Sequence, residues 1–166
     1  MKRMTLKRTI PILAALSALA AASAALAAGI GANETLEMTD TSTTGQTFAV
    51  VATGAFTDGG TFHSADGGKA SVLRLSGGSI TVKSTFTSAP KTTVNHAACS
   101  VTEHSRGTVA VVGGTGAFAG ITGSGTFTQS ARQVGVVGIK HAKCSTKANP
   151  AGSLQSIVAH LSISIP

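Results

Sequence analysis

The sequence predicts an all-β fold, an antiparallel barrel or sandwich of about eight strands in a single domain. Three observations carry this. The region after residue 32 is rich in Gly, Thr, Ser and Val and nearly empty of helical Leu/Glu/Lys periodicity, which is the composition of strands. Several stretches alternate apolar and polar residues with period two, the pattern of a strand with one buried face. Glycine steps stand between them where tight turns are needed, and no linker or low-complexity segment divides them.

Residues 1–28 come before this region and have a different character. Lys2, Arg3, Lys7 and Arg8 precede an unbroken Ala/Leu-rich run that ends in small residues, including Ala25-Leu26-Ala27. A basic start, an apolar middle and a small-residue exit describe a secretory signal peptide. Cleavage is expected near Ala27 or Ala28, with Ala32 as a later alternative. An uncleaved anchor is the competing reading, because the run approaches the ~20 residues that span a bilayer. Alanine supplies little hydrophobic drive, however, and no polar stop-transfer cluster follows. No Arg-Arg pair is present, which favours the general secretory route over twin-arginine export. The expected destination is secreted or extracytoplasmic, with no membrane association once the signal is removed.

The domain is expected over 33–166. "ETLEMTD" and "QTFAVVATGAF" open it as strands. "SVLRLSGGSITV" reads as a hairpin, with Gly77-Gly78 supplying the positive-φ turn. Ser79 to Thr87 is the clearest strand: Ile80, Val82, Ser84 and Phe86 share one face, with Thr81, Lys83, Thr85 and Thr87 opposite. Pro90 to His96 is expected to be a loop. "CSVTEHSRGTVAVV" is long enough to bend or break at Gly107, and "GSGTFTQSA" with "QVGVVGIKH" suggests a further pair of strands. The last strand is "LQSIVAHLSISI", with Ile157, Ala159, Leu161, Ile163 and Ile165 on one face. A faint echo between "TGAFTDGGTF" and "TGAFAGITGSGTF" has unequal spacers and does not define a repeat.

Charge and cysteine content narrow the function classes. The chain carries 13 Lys+Arg and 6 Asp+Glu, for a net +7. Four of the cations lie in the signal segment, so nine cations face six acids in the remainder, a net of +3. Those nine are scattered apart from Lys140, Lys143 and Lys147, and Trp and Tyr are absent. Nucleic-acid binding needs a dense basic face, usually with stacking aromatics, and is not expected. Cys99 and Cys144 form an even pair in an exported chain, which predicts a disulfide; free thiols and a metal pair are the alternatives. In the loop-entropy picture, closing their separation of 45 residues constrains the unfolded chain by about 4 kcal/mol.

The stretch Val111 to Gly120, "VVGGTGAFAG", has the glycines of a phosphate-binding loop. A dinucleotide fingerprint, however, needs a helix after its turn, and "ITGSGTFTQS" follows instead, a strand in composition. Without the helix there are no convergent N–H groups for a pyrophosphate, and the Lys-Ser/Thr ending of a Walker loop is missing. The glycines are expected to turn the chain and to let Phe118 fold back into the core. Gly113, Gly114, Thr115, Gly116, Phe118 and Gly120 also carry a family resemblance. Val111–Phe127 resembles the Gly-Gly-Thr-Gly hallmark of the allene oxide cyclase and dirigent superfamily. From Leu73 onward the chain is similar to exported bacterial barrels of the allene-oxide-cyclase-like type. The resemblance implies an eight-stranded antiparallel barrel with an apolar interior, and it leaves room for an oligomer.

Candidate chemistry is sparse. Relatives in plants use a carboxylate and polar groups inside the barrel to steer a reactive apolar substrate. The alternation of "CSVTEHSR" places Cys99, Val101, Glu103 and Ser105 on one face. If that face points inward, Glu103 is an interior carboxylate whose desolvation would suit a general acid or base. Solvent exposure of Glu103 is the plainer alternative. Ser84, Phe86 and Val101 are candidate ligand-lining residues. Five histidines show no ligand spacing, so no metal is expected, and no cofactor is implied. Asp58 and Asp66 stand beside Gly-Gly steps and suit turns. A small apolar molecule held in the barrel is the leading functional expectation. A cofactor-free cyclase or isomerase using Glu103 is the second, and a structural or surface-interaction protein with a filled barrel the third.

Overall fold

Period-two alternation and β-branched residues commit the chain to strands, and among the described residues there is no helix. A computed structural model describes residues 31–42, 46–65, 70–135, 144 and 151–166. The strands are β1 (Ala32–Asp40), β2 (Thr47–Gly54), β3 (Asp58–His63), β4 (Ser71–Leu75), β5 (Gly78–Phe86), β6 (Lys91–Asn95), β7 (Ser100–Gly116), β8 (Thr122–Val134) and β9 (Gly152–Ser164). They are hydrogen-bonded in the order β5-β4-β3-β2-β1-β9-β8-β7-β6, and β5 also pairs with β7. That pairing closes eight antiparallel strands into a barrel and removes their exposed edges. The ninth strand, β6, lies outside the ring against the first residues of β7, Ser100 to His104.

Register sets which residues face inward. Leu36 on β1 stands opposite Ala52 on β2 and Ala159 on β9, and all three are buried. The same parity brings Phe48, Val50, Phe62, Leu73, Ile80, Val82, Val109, Phe127, Leu161 and Ile163 into one core. Each fully buried side chain of this size contributes roughly 1.5–3 kcal/mol relative to exposure. Between β5 and β7 the register shifts by one residue at Thr81/Val82, leaving Val112 as the extra residue, exposed on the outside. Such a bulge sharpens local twist, which helps the last seam of a barrel to close.

The two ends of the barrel differ. At one end, Gly116 with φ 64° and Gly120 with φ 78° adopt left-handed backbone that favours glycine. They turn β7 into β8 so that Phe118 and Ile121 fall inside, Phe118 against Phe56 at 4.9 Å between ring centroids. The stretch that resembles a nucleotide loop is therefore a plug, as its missing helix implied. At the other end β7, β8 and β9 run on past the ring and, with β6, form a projecting sheet. Cys99 and Cys144 are bonded at the outer end of this extension, beside Ser100 and Val134. Cys99 has φ 45°, so it is a turn residue just before β7 and not a strand residue.

Three expectations need correction. Lys91–Asn95 is a strand, not part of a Pro90–His96 loop. Every residue in it is exposed, so it carries no apolar alternation to read, and a neighbour on one edge alone holds it. β7 passes through Gly107 without a break, because Gly107 keeps its partners Phe86 on β5 and Phe127 on β8. Gln133 and Val134 continue β8 instead of starting a new strand. β3 is a separate strand that the sequence does not announce, since Gly59-Gly60 at its start imitates a turn. The signal segment 1–28, Asp66, Lys140, His141, Lys143, Lys147 and residues 136–139 of "QVGVVGIKH" lie outside the described residues.

Candidate functional site

The barrel is not filled by its own side chains. A cavity of about 350 Å3 opens at the end away from the Phe118 plug. Its walls are Leu36, Met38, Phe62, Leu73, Val82, Val109, Phe127, Ile157, Ala159 and Leu161, with Ser64, Ser71, Ser84, Phe86 and Gln129 near the opening. This volume lies at the lower end of the range for small-molecule sites. None of the described lining residues is charged. Part of the room comes from Ala159, a small inward residue on the wall. Phe127 lies over Gly107 and meets Phe86 edge-on at 5.4 Å. Ser71 fixes the rim by accepting a hydrogen bond from the backbone N–H of Ala65 at 3.1 Å.

Below this cavity is a small apolar void that shares Leu36, Leu73, Val82 and Leu161 with it, and Glu34 lines that void. Glu34 is 1% exposed. Its Oε2 accepts the backbone N–H of Phe56 at 3.1 Å, while Oε1 has no hydrogen-bond partner. Desolvation raises the carboxyl above its ordinary 4.5, against the opposing pull of backbone N–H groups at Phe56, Ala55 and Thr53. Sequence reasoning missed this residue although a signal was present. In "ETLEM" Glu34 shares its parity with Leu36 and Met38, which places an acid on the apolar face of β1.

Glu103 occupies a different place. It has the inward parity of Ser105, Gly107 and Val109, but its position on β7 lies in the extension beyond the ring, opposite Thr92 and Ala131. It is half-buried and lines a groove of about 580 Å3 with Phe86, Thr87, Ser88, Ala89, Pro90, Ser105 and Gln129. Phe86 and Gln129 border both this groove and the barrel cavity. Of the three residues expected to line a ligand, Ser84 and Phe86 stand on the cavity wall. Val101 lies farther out on the extension between Val94 and Gln133.

Two histidines and one aspartate have structural partners. His160 and His63, both exposed, meet Thr35 and Thr47 across strand pairs at 3.2 Å and 3.3 Å. Among the described residues no group of His, Cys, Asp or Glu could hold a metal. Asp58 accepts hydrogen bonds from Ser76 Oγ at 2.9 Å and from the N–H of Gly59 at 2.7 Å and Gly77 at 3.4 Å. Burial alone would raise its carboxyl; those hydrogen bonds outweigh it and hold the group below the ordinary value. The disulfide belongs to non-reducing surroundings, and no helix among the described residues is long and apolar enough to cross a membrane. No family model, curated protein or solved structure matches this chain.

Proposed function

We propose that this protein is an exported binder of a small apolar molecule, which it takes into the barrel through the open end. The observation that carries this is the uncharged 350 Å3 cavity inside an otherwise tightly packed barrel. Well-packed interiors leave few voids larger than a water molecule, so an apolar space of this size with an entrance is suited to a ligand. The signal-like segment at 1–28 and the Cys99–Cys144 disulfide support export. The eight-stranded closure and the use of Gly113–Gly120 as an end plug support kinship with the allene oxide cyclase and dirigent barrels.

The test is a series of n-alkanols titrated calorimetrically, with methyl NMR of Leu36, Leu73 and Leu161 as the site reporter. Each added CH2 contributes about 0.8 kcal/mol, so Kd falls about fourfold per carbon until the chain outgrows the cavity. Failure of every alkanol to shift those methyl signals would end this reading.

A cofactor-free cyclase or isomerase is the second reading, and Glu34 is the observation that favours it. A sealed carboxyl with one unpartnered oxygen below an apolar cavity could exchange a proton with a reactive substrate. The test is conversion of an allenic epoxide by wild type and Glu34→Gln, followed by chiral chromatography. One product stereoisomer from wild type alone supports it, and identical racemic products from both proteins exclude it.

A further inference from the structure

We infer that the ligand is an amphiphile with a cationic amine head, its apolar part in the barrel and its head in the groove beside Glu103. This inference rests on the binding reading above and adds the chemistry of the head group. The cavity and the groove meet at Phe86 and Gln129, which border both. A molecule longer than the barrel cavity therefore emerges past the Phe86–Phe127 pair into the groove and not directly into bulk water.

The lining changes character along that path. Inside, the walls are Leu, Val, Ile, Met and Phe; at the junction come Ser84 and Gln129; in the groove come Ser105 and Glu103. Glu103 is the one charged group among the described residues of either lining. Among the described residues it has no cationic partner, and the Gln129 side chain has no hydrogen bond. Nearby cations point elsewhere. Lys91 and His104 face each other in register, and with Arg106 they have the outward parity of β7. They line a hollow of about 200 Å3 that shares Ser88, Ser105 and Gln129 with the groove. An ammonium head that leaves the cavity along Phe86 meets an unpaired carboxylate in the groove, whereas an anionic head would turn at Gln129 toward Lys91 and Arg106.

The experiment uses octylamine, 1-octanol and octanoate as probes, titrated into wild type and Glu103→Gln at low and high salt. The expected order is amine tighter than alcohol and alcohol tighter than acid. Glu103→Gln should weaken octylamine by about fivefold, the scale of a partly exposed ion pair, and leave octanol unchanged. The amine preference should shrink in 1 M salt, where such attraction is screened. Equal affinity for amine and alcohol, or amine binding indifferent to Glu103→Gln, overturns the head-group assignment while the binding reading stands. Preference for octanoate overturns it in favour of the Lys91–Arg106 face. No binding of octanol or octylamine overturns both readings.

Discussion

Glu34 gives the barrel a pH dependence with a definite sign. Its carboxyl holds a proton more tightly folded than unfolded, because ionisation would place a charge in an apolar void. Its stabilising share is complete below the ordinary 4.5 and is lost as pH rises through the raised folded value. Asp58 has the opposite sign: its share is present above the ordinary 3.8 and lost as pH falls through the lowered value. Thermal melting from pH 3 to 9 should show Glu34→Gln losing the decline above pH 4.5 that wild type displays. If the two curves run parallel, Glu34 is not the group responsible. Gly107 is a second residue on which packing turns. A Cβ there would meet the Thr85 carbonyl oxygen at 2.3 Å and the Phe127 ring at 2.4 Å. Gly107→Ala should therefore cost about 1–3 kcal/mol, the usual scale of overpacking, measured by urea unfolding. Adding Phe127→Leu should not restore stability, because the backbone contact remains.

The strands were legible wherever one face was buried inside the barrel. Ile80 and Val82, or Ile157 to Ile163, announce themselves by alternation because water is on one side and the core on the other. The extension gave no such signal, since every residue of β6 is exposed and Val101, Thr102 and Glu103 of β7 are half-buried alike on both faces. Glu103 illustrates the consequence: its parity was readable, but parity does not reveal that the barrel has ended before residue 103. The disulfide was readable from cysteine count, and it is the one covalent tie of this extension. Cys144→Ser should lower stability by as much as about 4 kcal/mol in the loop-entropy picture. The loss should appear first in the extension, as faster hydrogen exchange in Lys91–Asn95 and at Ser100 to Glu103, with the amides of β1 and β9 unchanged. Uniform acceleration along the chain would mean instead that the bond stabilises the barrel globally.

At the scale of the whole molecule, the closed barrel and its cavity work against each other energetically. Ring closure buries an apolar core from all eight strands, yet the space below the opening leaves Leu36, Val82 and Leu161 with fewer packing partners than a filled interior would give them. Filling that space should stabilise the protein and abolish binding together. Ala159 is the position for the test, because it is 4% exposed, lines the cavity and stands in register between Leu36 and Phe127. Ala159→Leu adds three carbons toward the void, with an expected gain of up to about 2 kcal/mol if the new side chain fits without strain. In wild type, octanol at a hundred times its Kd should raise stability by about 2.7 kcal/mol through mass action. In Ala159→Leu that increment should vanish while the apo protein melts at a higher temperature. A variant that gains stability and still responds to octanol would place the ligand outside the barrel.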